Sequence, residues 1–410
     1  MQMKFPRGFL WGAATAAHQV EGGNINSDAW LLEHVDGTVY AEPSGDACDH
    51  YHRYPEDIAL LASLGFNAYR FSIEWARVEP EEGEFSLAQL EHYRRMLAAC
   101  HEHTIKPVVT LHHFTSPRWV AARGGWESAE TARLFARYCE HVAEYLGDLF
   151  AIVCTINELN LGIVLQQSGF LHSDDAIVGS RWRRAAARVM AVEPEMFSSF
   201  PFCVRARSRD VLLEAHRRAA QALRSANNCA VGMTVAMLDL QAVPGAEDVR
   251  DRAAAESQDI FLQAARADDF IGVQCYTRQR IGVGGPLPPE PGAEYTQMGY
   301  ELWPDAVEAA IRRASAVARV PIIVTESGIA TDDDPRRIDY VQRVLSGVAQ
   351  CLRDGIDVRG YFYWSLLDNF EWLFGYGPKF GLIEVDRQTQ RRKLKMSAEW
   401  LGRTGRNNEI

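Results

Sequence analysis

The sequence contains no CxxC pair, although eight cysteines are spread along its 410 residues. A disulfide framework or a zinc site would need cysteines at close and regular spacings. Most of these cysteines instead lie inside apolar helical or strand patterns, so we predict reduced residues within the core. They stand at positions 48, 100, 139, 154, 203, 229, 275 and 351.

Long apolar runs are also missing, and no stretch approaches the roughly 18 uninterrupted apolar residues that a membrane span requires. Residues 8–17, which follow Lys4 and Arg7, resemble a signal peptide only loosely, because the stretch is short and interrupted by Gly and Thr. We therefore expect a cytoplasmic protein with no membrane partner.

Positive charge is in the minority, with 43 Lys+Arg against 54 Asp+Glu and a formal net charge of −11. Binding to a polyanion gains its affinity from clustered Lys and Arg, so nucleic acid is not an expected partner. This charge balance leaves the oligomeric state open.

Linkers, repeats and low-complexity tracts are absent as well, and what recurs is an alternation of two segment types. Short, continuously apolar runs predict strands that are buried on both faces, as in a parallel sheet. These runs cover 9–14, 67–73, 106–111, 150–156, 230–238, 270–273, 320–325 and 358–364. Patterns typical of amphipathic helices lie between them, at 55–64, 86–103, 127–146, 208–226, 252–266, 303–318 and 334–355.

Eight strand and helix units without a break predict a single (β/α)8 TIM barrel over residues 1–410. Two stretches do not follow the alternation, near 160–207 and 280–295, and we interpret both as loop insertions. In such a barrel the active site lies at the carboxyl rim of the strands, so the residues that end each apolar run are the candidates.

Those strand ends are rich in polar and aromatic residues. The fourth run ends at Asn157 and Glu158, and the seventh ends at Glu326. Two carboxylates at these positions would face each other across the barrel mouth. A carboxylate pair among aromatic and amide side chains suits the cleavage of a glycosidic bond.

Several longer motifs resemble the family 1 glycoside hydrolases, the β-glucosidase and β-galactosidase group. The resemblance covers nearly the whole chain and weakens at about 160–230 and 280–295. The motifs are FLWGAAT (9–15), QVEG (19–22), DHYHRYPED (49–57), YRFSI (69–73), LHHF (111–114), TINE (155–158), TESG (325–328) and YWSLLDNFEW (363–372).

This resemblance implies that Glu326 is the nucleophile and Glu158 the general acid/base of a retaining double displacement. Arg70 and Tyr276 would keep Glu326 ionised, and Asn157 would support the reaction by holding the sugar 2-hydroxyl. Retention implies carboxyl groups roughly 5–5.5 Å apart, whereas inversion would need about 6.5–9.5 Å.

The resemblance also assigns the residues that bind the non-reducing sugar, with Trp364 as an aromatic floor and Glu371 accepting from the 4- and 6-hydroxyls. A pyranose has polar edges and apolar faces, which amide, imidazole, carboxylate and indole groups can match. The set is Gln19, His113, Asn157, Trp364, Glu371, Trp372 and Phe380. Tyr300 and Gln274 are expected on the aglycone side. A charged Glu371 would repel a 6-phosphate, which disfavours a 6-phospho-glycosidase.

The chain departs from the family pattern at six positions. Gln274 and Cys275 stand where Asn and Tyr are usual, Leu159 replaces a common Pro, and Ser327 replaces a common Asn. Phe114 and Tyr300 stand where Trp is frequent. Because both Glu residues are kept, these departures put substrate preference in doubt more than activity.

Other side chains allow simpler interpretations than a second site. His112 with His113, and His101 with His103, lack the HExxH or Cys/His spacing of a metal site, so we predict no metal and no cofactor. The glycine loop at 282–285 is followed by prolines and cannot open a phosphate-binding helix. The Arg-rich pieces at 181–188 and 205–209 are interpreted as solvated faces. Four tryptophans are interpreted as core residues: Trp11, Trp30, Trp75 and Trp303.

The function expected from the sequence is therefore an exo-acting, retaining β-glucosidase, with β-galactosidase or β-fucosidase activity also open. Its partner would be a small β-glycoside or oligosaccharide. Two alternatives remain, a transglycosylase that uses the same carboxylates and a non-catalytic, sugar-binding barrel like the klotho branch of the family.

Overall fold

Eight parallel strands form a closed sheet in the computed structural model, which describes residues 3–171, 176–177 and 179–410. Strand β1 pairs with β2 on one side and with β9 on the other, and this second pairing closes the barrel. The barrel strands are β1 Leu10–Ala14, β2 Ala68–Ser72, β3 Lys106–His112, β4 Ile152–Ile156, β5 Ala230–Ala242, β6 Phe270–Gly282, β8 Ile322–Ser327 and β9 Val358–Trp364. The predicted (β/α)8 barrel is confirmed.

Three short strands lie outside the barrel. Strand β7, Gly285–Leu287, forms an antiparallel hairpin with the end of β6. Strands β10, Ile383–Val385, and β11, Arg392–Leu394, pair with each other after the last barrel strand.

Helices surround the sheet and fill most connections between strands. The helices are α1 Ala17–Val20, α2 Asp28–Glu33, α3 His50–Leu64, α4 Trp75–Val78, α5 Leu87–Glu102, α6 Arg118–Ala121, α7 Ala129–Leu146, α8 Leu161–Gln167, α9 Arg181–Val189, α10 Ala206–Ala226, α11 Glu247–Ala254, α12 Ile260–Ala264, α13 Ala306–Ala318, α14 Asp334–Arg353 and α15 Met396–Asn407. None of the helices in the described ranges is both long enough and apolar enough to cross a membrane.

Successive strand residues point alternately into the barrel and out toward the helices. In β2, Tyr69 and Phe71 pack in the large helix–sheet core, while Ala68 belongs to the cluster inside the barrel. Because side chains alternate along a strand, Arg70 shares the inward face with Ala68. The barrel fold thus places a buried cation beneath the carboxyl rim.

Most elements differ from the predicted bounds by one to five residues, and β6 differs by nine. Strand β6 continues nine residues past the predicted end at 273 because it pairs with an equally long β5, up to Ala242 and Ile281, and with the hairpin strand β7. Helix α3 begins at His50 instead of 55, and a buried ion pair of 2.7 Å between His50 and Asp57 holds its first turns.

The remaining predictions about the core hold in most places. All eight cysteines are free, and only Cys229 is more than slightly exposed. Trp11 and Trp75 are buried in the core, while Trp30 and Trp303 are half-buried. The prediction of solvated Arg-rich faces is wrong for Arg183, which is buried and donates from Nε to the Pro194 carbonyl at 2.8 Å.

Candidate active site

A cavity of about 500 Å³ opens at the carboxyl ends of the barrel strands. Its lining includes Glu158 just after β4, Gln274 in β6, Glu326 in β8 and Trp364 at the end of β9. The structure therefore brings the two predicted carboxyl groups into one cavity of the size typical for small-molecule sites.

Glu326 is held by two donors from other strands, Arg70 in β2 and Tyr276 in the neighbouring β6. Nη1 of Arg70 donates to Oε1 at 2.5 Å, and the Tyr276 hydroxyl donates to Oε2 at 2.7 Å. Burial raises the pKa of Glu326, while the charge of Arg70 and these hydrogen bonds oppose that rise. Both donors favour the ionised form of the carboxyl, and they are the two residues that were predicted to lie beside it.

Glu158 sits at the turn from β4 into α8 and has a positive φ of 45°, which is uncommon for a residue with a side chain. Its backbone N–H donates to Oγ1 of Thr234 at 2.9 Å. Burial and the negative charge of Glu326 raise the pKa of Glu158 well above its ordinary value, with Arg70 opposing. The environment of Glu158 thus favours the protonated acid.

Asn157 is oriented by three donors that converge on its Oδ1. They are Nη2 of Arg70 at 2.5 Å, the amide of Gln274 at 2.8 Å and the hydroxyl of Thr234 at 3.2 Å. This leaves the Asn157 Nδ2 to donate to Nε2 of His113 at 3.1 Å. Burial lowers the pKa of His113 well below its ordinary value, so the imidazole is neutral and carries its proton on Nδ1.

Gln19 and Glu371 lie together on the opposite side of the mouth. The Gln19 amide donates to the carbonyl of Phe370 at 2.8 Å and approaches Oε2 of Glu371 at 3.4 Å. Burial raises the pKa of Glu371 to about 8, with hydrogen bonds from Trp364 and Gln19 opposing. The Oε1 atom of Gln19 is buried without a protein partner within the described residues.

Aromatic side chains form one wall between these polar groups. Trp372 stacks on His18, with ring centroids 5.5 Å apart, and contacts Phe114 at 5.3 Å. Trp364 stacks against His113 at 5.7 Å. Trp364 and Trp372 both line the cavity, so apolar faces are available beside the carboxylates.

The two residues expected on the aglycone side have different surroundings. Tyr300 lines the cavity and lies 6.5 Å from the ring of Tyr276. Phe380, which was predicted to bind the sugar, packs edge-on against Tyr276, with ring centroids 6.0 Å apart. Gln274 also lines the cavity, but its amide is hydrogen-bonded to Asn157 and Thr234 beneath the acid/base position.

Three predicted residues are not among those that line the cavity, but each is hydrogen-bonded to a side chain that is. Gln19 bonds Glu371, Arg70 bonds Glu326 and Asn157 bonds His113. Thr234 in β5 was not predicted as a site residue. Strand β5 is the one barrel strand for which the sequence suggested none. A polar Thr within an otherwise apolar run was the available signal.

Within the described ranges, no group of three or more His, Cys, Asp or Glu side chains is arranged to hold a metal ion. The cavity contains two carboxyl groups, those of Glu158 and Glu326. Burial raises the pKa of Glu158, and Glu326 is paired with Arg70. A (β/α)8 barrel with such a pair among indole, amide and imidazole groups has the architecture of an enzyme that cleaves glycosidic bonds.

Comparison with known proteins identifies the family. The model of Glycosyl hydrolase family 1 matches residues 1–276 and 274–410. The chain therefore belongs to glycosyl hydrolase family 1, and it is a glycoside hydrolase of the β-glucosidase type that acts with retention.

Curated relatives and solved structures agree with this assignment. The chain is 30% identical over 445 aligned residues to β-glucosidase A of Thermotoga maritima, with 99% of each chain covered. It is 31% identical to a bifunctional β-D-glucosidase/β-D-fucosidase of Bifidobacterium breve, with 98% of each covered.

Among solved structures, the β-glycosidase BGL167 is 52% identical with a TM-score of 0.96, over 98% of this chain and 97% of that one. The family 1 β-glucosidase of T. maritima, solved in complex with isofagomine lactam, is 29% identical with a TM-score of 0.86, over 100% of both chains.

Proposed function

We propose that Glu326 and Glu158 carry out the retaining cleavage of a β-glycoside from its non-reducing end. Glu326 is the nucleophile and Glu158 is the general acid/base. The observation that carries this proposal is the asymmetry of their surroundings, since Arg70 and Tyr276 bond the first carboxyl, whereas no described donor bonds the second, whose pKa burial and the charge of Glu326 raise.

In the first step, a carboxylate oxygen of Glu326 attacks the anomeric carbon and forms a glycosyl ester. The bond to the leaving oxygen breaks, and the proton of Glu158 passes to that oxygen as the aglycone alcohol departs. Loss of this proton leaves Glu158 as a carboxylate once the charge on Glu326 has been consumed in the ester. Only one of the two groups is negative at each stage.

In the second step, Glu158 takes a proton from a water molecule, whose oxygen attacks the same carbon from the face that the aglycone left. The ester bond breaks and Glu326 regains its negative charge. Arg70 and Tyr276 stay in place throughout and stabilise the returning carboxylate. Two inversions give a product with the β configuration of the substrate.

The sugar itself is assigned to the pocket formed by Gln19, His113, Trp364, Glu371 and Trp372, with Phe380 packing behind Tyr276. Asn157, fixed by three donors, holds the 2-hydroxyl, and Glu371 with Gln19 bonds the 4- and 6-hydroxyls. A small β-glycoside is therefore the proposed partner. We favour β-glucosides and β-fucosides, because the relatives are named as enzymes that act on these sugars.

The same proposal treats residues 1–410 as one domain, because β1 and β9 close the sheet and residues at both ends of the chain pair with each other at Lys4 and Glu409. It also disfavours a 6-phosphate, because the arginines that line the cavity, Arg278 and Arg280, are paired with Glu301 and Glu290.

The test is to follow hydrolysis of a β-glucoside by proton NMR and to identify the first anomer formed. We expect β-glucose to appear first and to mutarotate later. Initial formation of α-glucose would contradict the double displacement. A panel of chromogenic β-glucosides, β-galactosides and β-fucosides measures the sugar preference in the same assay.

A further inference from the structure

The outer part of the cavity is built from different elements than the sugar pocket beneath it. Strands β5 and β6 continue as a paired ladder beyond Gln274, up to Ala242 and Ile281. Residues after Gln274 therefore stand farther out than the catalytic carboxyls. Helix α8 follows Glu158 closely and forms the neighbouring wall.

Aliphatic side chains dominate these outer walls. The cavity surface there is formed by Leu161, Val164, Leu165, Met237, Leu238 and Met298. At the mouth, Phe170 is 47% exposed although it is large and apolar, and its ring lies 6.0 Å from that of Phe374. An exposed aromatic ring beside an apolar cavity marks a surface that gains by being covered.

Several polar side chains of the outer walls, Thr277, Arg278 and Gln279, are already bonded to other protein atoms. Arg278 makes two hydrogen bonds to the Glu301 carboxylate, at 2.9 and 2.7 Å, and a third to Gln241 at 2.8 Å. The Thr277 hydroxyl donates to the Glu301 carbonyl at 2.8 Å. Gln279 donates to a carbonyl of the β7 hairpin, at 2.8 Å.

A second sugar in this outer space would have to leave hydroxyl groups without partners or break these internal bonds. Either outcome lowers affinity, because a buried polar group without a hydrogen bond loses its interaction with water. A hydrocarbon group faces no such loss and gains from leaving water. The outer cavity therefore favours an apolar leaving group over a polar one.

We propose that the natural aglycone is an apolar alcohol, alkyl or aryl, and not a second sugar. This inference rests on the proposed function, because it assigns the leaving-group side of the same site. The walls of α8 and the β5–β6 ladder recognise the hydrocarbon, and the carboxyl pair cleaves the bond that links it to the sugar.

The experiment measures kcat/KM for methyl, butyl, hexyl and octyl β-glucosides below their micelle concentrations, and for cellobiose. The primary alkyl alcohols from butyl upward have similar leaving-group reactivity, so differences among them report binding by the cavity. We expect kcat/KM to rise about two- to fourfold for each added methylene that the cavity holds. We expect cellobiose to fall below the hexyl glucoside.

A flat alkyl series, or cellobiose exceeding the octyl glucoside, would overturn this inference while leaving the proposed function intact. Failure to hydrolyse even an activated 4-nitrophenyl β-glucoside would overturn the proposed function instead.

Two variants locate the effect in the walls. Leu165→Gln changes a half-buried side chain of α8, and Phe170→Ser changes the exposed ring at the mouth. We expect each to lower the octyl-to-butyl ratio of kcat/KM by about three- to tenfold. Val189→Ser is the matched control, because Val189 is 61% exposed on α9 and does not line the cavity. An unchanged ratio in both wall variants would overturn the assignment.

Discussion

The ends of strands β4 and β8 present the same side chain to the same cavity in opposite electrostatic settings. At β8, Glu326 receives hydrogen bonds from Arg70 and Tyr276. At β4, no donor among the described residues bonds the carboxyl of Glu158, and its printed hydrogen bonds are made by the backbone, from its N–H to Thr234 and to its carbonyl from the N–H of Leu161. Both carboxyls are buried, so burial alone cannot assign their roles.

Under the roles that we propose, the neighbours of a carboxyl, and not its residue type, decide whether it attacks or donates a proton. Arg70 and Tyr276 oppose the rise in the pKa of Glu326, whereas the charge of Glu326 adds to the rise in the pKa of Glu158. Four substitutions test the contrast, beginning with the one of largest expected effect.

Replacing the nucleophile removes the group that forms the covalent intermediate. For Glu326→Ala we expect kcat/KM for a chromogenic β-glucoside to fall at least about 10⁴-fold. Azide can enter the vacated space and attack the sugar from that side, so added azide should restore turnover and give the α-glucosyl azide. Product NMR measures this, and a β-glucosyl azide would reverse the assignment of the two residues.

Replacing the acid/base has an effect that depends on the leaving group. For Glu158→Ala we expect an alkyl β-glucoside to lose about 10²–10⁴-fold in kcat/KM, because the departing alcohol needs a proton. A 2,4-dinitrophenyl β-glucoside needs none, so its kcat/KM should change less than about tenfold. Steady-state kinetics on both substrates measures the difference, and equal losses would contradict the role of Glu158.

Removing one hydrogen-bond donor to Glu326 should make its surroundings resemble those of Glu158. The Tyr276→Phe variant loses the 2.7 Å hydrogen bond that favours ionised Glu326, so the pKa of Glu326 rises. We expect the acid limb of the kcat/KM profile to shift to higher pH, because Glu326 must be ionised to attack. The maximal rate should fall about 10–10²-fold.

Tyr340→Phe is the control for that variant. Tyr340 is also buried and lies within hydrogen-bond distance of a hydroxyl, at 3.2 Å from Oγ of Ser327, but it does not line the cavity. Its acid limb should stay within a few tenths of a pH unit of the parent enzyme. A similar shift of the acid limb of the kcat/KM profile in both variants would mean that this limb reports general destabilisation and not the ionisation of Glu326.

The smallest effect is expected at Gln274, which bonds Asn157 beside the acid/base residue. The Gln274→Asn variant has a shorter side chain and loses the 2.8 Å bond to Asn157. We expect kcat/KM for a β-glucoside to fall about two- to tenfold. The loss should vanish with the 2-deoxy-glucoside, because Asn157 acts through the 2-hydroxyl. An equal loss with both sugars would contradict this role.

The barrel strands and the motif residues could be predicted from the sequence because their signals are local. Eight buried runs appear as eight apolar segments, and the two carboxyls follow directly after two of them. The continuous pattern of residues 358–364 predicted strand β9 with the bounds that the structure has. Residues at the ends of such strands meet at one rim by topology alone.

What could not be predicted depends on contacts between distant segments. The extension of β6 to Gly282 needs its partner β5, and the burial of Arg183 needs the loop carbonyls at 194–195. Thr234 in β5 accepts from the backbone N–H of Glu158, which follows the adjacent strand β4. No spacing in the sequence reveals this contact. Gln274 lines the cavity and its amide also bonds Asn157, a partner that lies 117 positions away in the sequence.

The central claim is that Glu326 becomes covalently bonded to the sugar. A 2-deoxy-2-fluoro-glucosyl fluoride tests it most directly, because the fluorine at carbon 2 slows both steps while fluoride still leaves readily. Intact-protein and peptide mass spectrometry should show one fluoroglucosyl unit, attached to Glu326. A label on Glu158 or another residue, or continued turnover of this compound with no labelled protein, would contradict the account.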